Sequence, residues 1–429
     1  MSDWALSEIA ELNPAVPIPA GVSATDAVSF IPMNDVSESG QWLFRQTRPL
    51  CTVVAGFTTF AEGDVLVAKI TPCMENGKGA HAVGLRNGIG FGSTEFHVLR
   101  ARPGNQSRFV FHVTQWRMFR HAAARQMVGS AGQQRVQRQF FDEFRVAAFS
   151  PAEQVQVAMI LDTLDTAIHQ TEAIVEKLKQ VKQGLLHDLL TRGVDSNGEL
   201  RPSYEQAPEL YQDSPLGWVP KDWEVQSLGD ALLGIDAGWS PNCPEEPPRA
   251  GEWGVLKVSA VSGGVFQPLE SKRLPSGLRP VPSIEVKLGD VILARANGVA
   301  DLVATTVYVD ATPTGLMLSD KTLRLNPNPS KLVSRYLSAL MHHSTTRRQI
   351  GGMLNGSSGQ KNISQSQIKD LVVAIPSVIE QEISESLICE AERRVRSEEA
   401  ELNKLLATKV GLLDDLLTGR VRVTPLLAQ

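Results

Sequence analysis

Two loops and two turns hold the side chains of this chain that are best suited to chemistry. The segment ITPCMENGKGA, Ile70 to Ala80, follows an apolar run; with Lys69 just before it, Thr71, Asn76 and Lys78 offer donors in a short span. Its glycines permit close backbone approach to a ligand. A second apolar run ends in Arg295-Ala296-Asn297-Gly298, and Lys321 opens a basic zone further on. The turn GSAGQQR from Gly129 supplies Ser130, Gln133, Gln134 and Arg135, and the turn GSSGQKN from Gly356 supplies Ser358, Gln360, Lys361 and Asn362. Backbone N–H groups, Lys and Arg grip phosphates. Arg matches guanine in the major groove, and Asn or Gln matches adenine. These groups suit the recognition of phosphates and base edges, not bond breaking.

Residues for catalysis are missing. The pair Gly77-Lys78 is followed by Gly79, where a nucleotide-binding loop needs Ser or Thr for magnesium. There is no G-x-S-x-G elbow, H-E-x-x-H pair or kinase catalytic loop. Asn326-Pro327-Asn328-Pro329 lacks the consecutive prolines and the aromatic of amino-methyltransferases. His342-His343 and Asp142-Glu143 have no metal-ligand spacing, so no metal site is expected. Cys51, Cys73, Cys243 and Cys389 lie far apart, as reduced cytoplasmic thiols would.

The net charge of −5 argues against a nucleic-acid partner, but its distribution argues for one. Arg100 to Arg138 contains eight arginines and no acid, and Lys321 to Lys369 contains eight basic residues and no acid. Two such zones suggest two electrostatic footprints for a polyanion.

The zones match because the chain contains itself twice, at a spacing of about 227 residues. GDVLVAKI from Gly63 returns as GDVILARA from Gly289, Glu153-Gln154 as Glu380-Gln381, and GLLHDLLT from Gly184 as GLLDDLLT from Gly411. A period this long duplicates a whole domain. Each copy begins with turn-rich, β-like segments, continues through basic helical stretches such as Phe109 to Met127 and Leu332 to Ile350, and ends in a long helix. This is an α+β pattern. In the first helix Val157, Leu161, Leu164, Ile168, Thr171, Val175, Leu178, Lys182, Leu185 and Leu189 form a heptad seam. The second seam breaks at Glu398 and Lys409, where the first has Thr171 and Lys182. The shared breaks suggest an antiparallel pair. Leu186, Leu190, Leu413 and Leu417 widen the stripe beside the seams and are expected to dock partner subunits. Expected boundaries are 1–150 and 222–377 for the globular domains, 151–193 and 378–420 for the helices, 194–221 for a proline-bearing linker and 421–429 for a tail. No apolar run of membrane-spanning length and no signal peptide appear, so a cytoplasmic location is expected.

In these residues the chain resembles the specificity subunits of type I restriction-modification enzymes. The most specific elements are GDVLVAKITPCMENGKGA with GFGSTEFHVLR, then GWVPKDWEV, EWGVLKVSAV, LMLSDKTLRL, NGSSGQKNISQSQIKDLVVAIPSVIEQ, and the helix endings LLHDLLTRGV and LLDDLLTGRV. The chain departs from the family's P-P-x-x-E-Q before each helix, with Phe149 and Ser150 ahead of Pro151 in the first copy and Pro376-Ser377 in the second. The resemblance implies two DNA target recognition domains separated by two long antiparallel coiled-coil helices. Each domain would read one half of a split, asymmetric sequence in double-stranded DNA, and the helices would set the gap. It also implies no catalysis by this chain. Two methyltransferase subunits using S-adenosylmethionine, and restriction subunits using ATP and Mg, would supply the chemistry. The alternatives are a coiled-coil adaptor outside restriction systems or a stand-alone DNA-modifying enzyme.

Overall fold

The computed structural model describes residues 3–130, 132–356 and 360–427. The chain divides into two compact units, one of Met1–Ile174 with Glu398–Gln429 and the other of Val175–Ser397. Among the described residues no helix is long and apolar enough to cross a membrane.

In the first unit β1 (Ala10–Leu12), β2 (Asp64–Ala68), β3 (Gly79–Ala82) and β4 (Phe96–Ala101) form an antiparallel sheet ordered β1-β4-β2-β3. Every residue of β2 is buried, as a central strand covered on both faces requires. Asp64, at the start of β2, closes the preceding turn by accepting the Ala61 N–H at 2.7 Å. It also holds Arg100 of β4 through two hydrogen bonds of 2.8 and 2.7 Å. Helices α1 (Ser107–Gln115) and α2 (Arg117–Arg125) follow, broken by the extended backbone of Trp116. They bury Phe109, Val113 and Phe119 against Phe140 and Phe141. The long helix α3 is Pro151–Thr191.

The second unit repeats this plan. Its sheet, β5 (Leu232–Ala237), β6 (Val291–Ala294), β7 (Thr306–Tyr308) and β8 (Thr322–Pro327), is ordered β5-β8-β6-β7. Helices α4 (Ser334–His342) and α5 (Ser344–Met353) are broken at His343, as α1 and α2 are at Trp116. The second long helix, α6, is Val378–Leu417. The proline-bearing segment 194–221 folds within this unit, where Tyr211–Gln212 pairs with Val219–Pro220. Arg201 from the same segment binds Glu380, which also accepts the Val194 N–H at 3.0 Å and the Trp223 Nε1–H at 3.2 Å.

The repeated Glu-Gln pair at the start of each long helix has a clear physical task. The fully buried Gln154 accepts the Gln106 N–H at 2.9 Å and donates to Asn105 Oδ1 at 2.8 Å and the Phe149 carbonyl at 3.2 Å. Gln381, also fully buried, accepts the Val333 N–H at 2.8 Å and donates to the Lys331 carbonyl at 2.8 Å and the Pro376 carbonyl at 2.9 Å. Each side-chain amide satisfies a backbone group just ahead of α1 or α4 and another just ahead of its own long helix, tying the two starts together.

The two long helices pack antiparallel. In the first unit Val157 and Leu161, near the start of α3, share a core with Leu413 and Leu416 near the end of α6. In the second unit Leu189, at the end of α3, clusters with Ile388 near the start of α6. The lysines that interrupt both seams reach acids on the opposite helix, Lys409 to Asp165 at 2.5 Å and Lys182 to Glu392 at 3.8 Å. The pattern is a polar seam pair, which fixes register at some cost in stability.

Leu186, Leu190, Leu413 and Leu417 do not form an outer docking face. Leu413 and Leu417 are 5 and 0% exposed in the first core, Leu190 is 7% exposed in the second, and Leu186 packs half-buried against it. The excess width of the stripe is taken up by each unit's own globular core, and these leucines are not free to meet a partner subunit.

Candidate nucleic-acid interface

In both units the strand-end loop and the Gly/Ser/Gln turn lie side by side, although they are far apart in sequence. In the first, the backbone continues past β2 so that the Val136 N–H donates to the Lys69 carbonyl at 2.9 Å and the Thr71 N–H to the Gln134 carbonyl at 3.0 Å. Lys69, Thr71, Gln134 and Arg135 are thereby brought together. In the second, Ala296–Asn297 pairs antiparallel with Lys361–Asn362. The Arg295 N–H donates to the Lys321 carbonyl at 2.9 Å and the Ile363 N–H to the Arg295 carbonyl at 3.1 Å. This joins Arg295, Asn297, Lys321, Lys361 and Asn362.

Each turn depends on its first glycine. Gly129 has φ +138° and Gly356 φ +117°, and an added Cβ would lie 2.7 Å from the Gln133 carbonyl oxygen or 2.2 Å from that of Gln360. Only glycine tolerates that approach without a shift of the turn. Ser130, Gln133 and Gln360 are exposed on these turns. Ser358 lies outside the described residues.

The remaining candidates lie on the loops themselves. Asn76 is exposed and donates to Glu38 Oε1 at 2.7 Å, its carbonyl accepts from Arg120, and Lys78 Nζ reaches the Met33 carbonyl at 3.3 Å. The loop is therefore latched to the segment 33–38 and to α2. Thr71 donates to Glu75. Asn297 donates to Ser262 Oγ at 3.0 Å, and Lys361 Nζ to the Gly356 carbonyl at 3.1 Å.

The two basic zones contain no acid in sequence, but acids face them in space. Arg135 is held by Glu95 through two 2.9 Å bonds, and this pairing lowers the Glu95 carboxyl below its usual range and raises the guanidinium. Arg108 meets Asp162 at 2.6 Å, and Arg324 meets Asp236 at 2.7 Å and Asp290 at 3.2 Å. Arg335 pairs with Asp310 and Glu385, and Arg347 donates to the Val303 carbonyl at 2.8 Å. By contrast, the exposed Arg125, Arg138, Arg295, Lys321 and Arg348 form no side-chain hydrogen bond or ion pair with any described residue. The footprint is thus narrower than the composition suggests. Away from it, His112, Asp162 and Asp165 bring ligand atoms within 4.8 Å of one another, but Arg108 and Lys409 already supply the positive charge there.

No family model matches the chain. It is 28% identical over 447 residues to the EcoEI specificity subunit of a type I restriction enzyme from Escherichia coli, covering 87% of this chain and 75% of that protein. The chain is a relative of the type I specificity subunits. A further 34% identity over 217 residues relates it to the EcoAI specificity subunit of E. coli, covering 49% of this chain and 36% of the other. Among solved structures, the type I S subunit from M. genitalium has a TM-score of 0.53 at 12% identity, covering 97% of this chain and 96% of that one. A chain from a structure of type I restriction-modification complex assembly and conformational transition has a TM-score of 0.54 at 14% identity, covering 98% of each. These structural likenesses bear on the fold: two pseudo-repeated globular units and two long antiparallel helices.

Proposed function

We propose that this relative of the type I specificity subunits is a non-catalytic DNA reader, in which each unit recognises one half of a split, asymmetric site and the paired helices set the unread gap. The supporting observation is the juxtaposition of strand-end loop and Gly/Ser/Gln turn, built twice on one backbone plan with different side chains. Lys69, Thr71, Gln134 and Arg135 stand in one unit where Arg295, Asn297, Lys361 and Asn362 stand in the other. Identical sets would suit a palindrome, and different sets suit two different half-sites. Methyltransferase subunits using S-adenosylmethionine and restriction subunits using ATP and Mg would carry the chemistry.

The test is selection of bound sequences from a random duplex library by the chain assembled with its partner subunits. A split motif with one fixed gap is expected, and the chain alone should transfer no methyl group from S-adenosylmethionine. Lys361→Ala should weaken or relax one half-site only. Four residues inserted after Thr171 and again after Glu398 lengthen the helices by about 6 Å. With base pairs spaced at about 3.4 Å, the gap should grow by roughly one to two base pairs. Methyl transfer by the isolated chain would make it an enzyme. Absence of any selected sequence would make it an adaptor.

A further inference from the structure

Each unit carries a second sheet beyond the loops just described, and its edge strand follows an exposed apolar residue. In the first unit the edge strand is Gln46–Pro49, paired antiparallel with Ala27–Ile31, which in turn runs parallel to Ile89–Gly92. In the second the strand is Ser271–Arg273, paired antiparallel with Gly254–Leu256, which runs parallel to Leu316–Met317. The topology makes the two edges equivalent. Two residues before the edge strand stands Phe44 in one unit and Leu269 in the other.

These side chains are held out into solvent. Phe44 is 64% exposed and its neighbour Leu43 48%, while Leu269 is 78% exposed. Their backbones are fixed alike. The Phe44 carbonyl accepts the Gln46 N–H at 3.2 Å, and the Leu269 carbonyl accepts the Ser271 N–H at 2.9 Å. Trp42 Nε1–H adds a second bond of 2.7 Å to the Phe44 carbonyl. A large apolar side chain on a locked turn, in the same place twice, is not a by-product of core packing.

The surroundings indicate what it meets. Arg45 stacks over Trp42 at 4.3 Å and donates to the Val83 carbonyl at 2.9 Å, and Arg48 stacks over Phe30 at 3.7 Å, so the two arginines that follow Phe44 in sequence are both anchored. Leu43 to Pro49 contains no acid, and the carboxylate bonded to the strand, the buried Asp35, accepts from Gln46 at 2.6 Å and not from either arginine. The latches from Lys78 to Met33 and from Asn76 to Glu38, with Asp35 of the same segment accepting from the Leu43 N–H at 2.8 Å and from Gln46 at 2.6 Å, join this edge to the loop proposed to read DNA. Cationic side chains flanking a presented apolar residue are the means by which proteins wedge between base steps and kink a duplex. We propose that Phe44, aided by Leu43, and Leu269 are wedges that insert between base pairs of double-stranded DNA, one in each half-site. The inference rests on the DNA-reading function proposed above. In the second unit Lys272 is paired with Glu245 at 2.5 Å and Arg273 lies 3.7 Å from Glu246, so the wedge there has weaker electrostatic backing.

The test uses the full chain with its partner subunits and the duplex selected from the random library, with 2-aminopurine placed stepwise through each half-site. Unstacking raises 2-aminopurine fluorescence, so the wild type should light up one step in each half. Phe44→Ala should abolish the signal in one half-site only and weaken binding by about tenfold. Leu269→Ala should do the same in the other half, with a smaller loss of affinity. Phe44→Leu and Leu269→Met, which keep an apolar wedge, should retain most of the signal. Both alanine variants lie at the surface and leave the cores intact. If the wild type selects a split sequence but both alanine variants keep the signal and the affinity, the wedge is overturned and the DNA-reading function stands. If the alanine variants keep DNA selection but lose a partner subunit, the residues are a protein-docking site and the wedge is again overturned. If the wild type selects no sequence, both readings fall together.

Discussion

The two units share an inner sheet of one strand order but differ at their margins. Among the described residues the first has a four-stranded outer sheet that includes Thr58–Ala61, whereas the second has three strands there. What both copies keep are side chains that complete the backbone: Asp64 and Asp290 closing the turn before the central strand, and Gln154 and Gln381 ahead of the basic helices. What they do not share lies at exposed edges and turn tips. Losing a buried backbone partner is costly, whereas changing an exposed side chain costs little. A duplicated reader can therefore diverge at its surface on a fixed scaffold.

The carboxylates that open the long helices offer the strongest way to test this comparison. Glu380 is buried and binds Arg201, which is itself only 10% exposed at its side chain, whereas Glu153 binds the more open Arg422 and Thr424. Glu380→Ala leaves Arg201 with only the exposed Asp222 at 2.7 Å and unpairs the buried Val194 N–H and Trp223 Nε1–H, and should cost the second unit about 2–3 kcal/mol. Glu153→Ala, mainly the loss of a helix-start cap, should cost the first about 1 kcal/mol. Urea unfolding followed at Trp223 and Trp116 separates the two, and equal losses would erase the distinction.

The seam ion pairs come next. Asp165 and Lys409 are 8 and 15% exposed at their side chains, but Glu392 and Lys182 are 32 and 30%. Asp165→Ala should cost about 3 kcal/mol, and Glu392→Ala less than about 1 kcal/mol. Changing Asp165 and Lys409 together to Leu should restore most of the loss, because no buried charge is then left alone. Failure of that restoration would mean that the pair contributes net stability.

The pH dependence of the first unit gives a third comparison. Burial, with Arg108 nearby, pushes His81 down to about 4. The unfolded chain would bind the proton near the ordinary value of 6.5 while the folded chain refuses it, so stability rises with pH between about 4 and 6.5 and is lost as pH falls through that window. The effect on the first unit should be on the order of 1–3 kcal/mol, discounted for the partial exposure of His81. At the equivalent place in the second sheet, opposite Val291, stands Tyr308, as His81 stands opposite Val65. His81→Tyr should reduce the acid slope of the first unit, read as the urea midpoint against pH, while burial of His97 and His112, which also lowers both imidazoles, keeps part of it.

The repeat, the long helices and the seam were legible because each leaves a periodic trace over many residues. Lys182 and Lys409 were even readable as matched interruptions. The loops and turns of the candidate site were legible as motifs, but not their contact, since pairing Lys69 with Val136 or Arg295 with Ile363 joins distant segments. The same distance hid the acids. Glu95 and Asp236 lie outside the basic runs that contain Arg135 and Arg324, so a count along the chain could not register their pairing. The leucines beside the seam misled for a related reason: a helical stripe shows how much apolar surface must be covered, not what covers it.

The first unit is assembled from both ends of the described chain, whereas the second is one continuous stretch. A ribosome thus releases every part of the second unit by Ser397, while Val157 and Leu161 of the first must wait for Leu413, Leu416 and Leu417. During that interval an apolar helix face stands uncovered, which invites association with other nascent chains. A stop codon placed just before Glu398 would therefore spare the unit made second and cripple the one begun first.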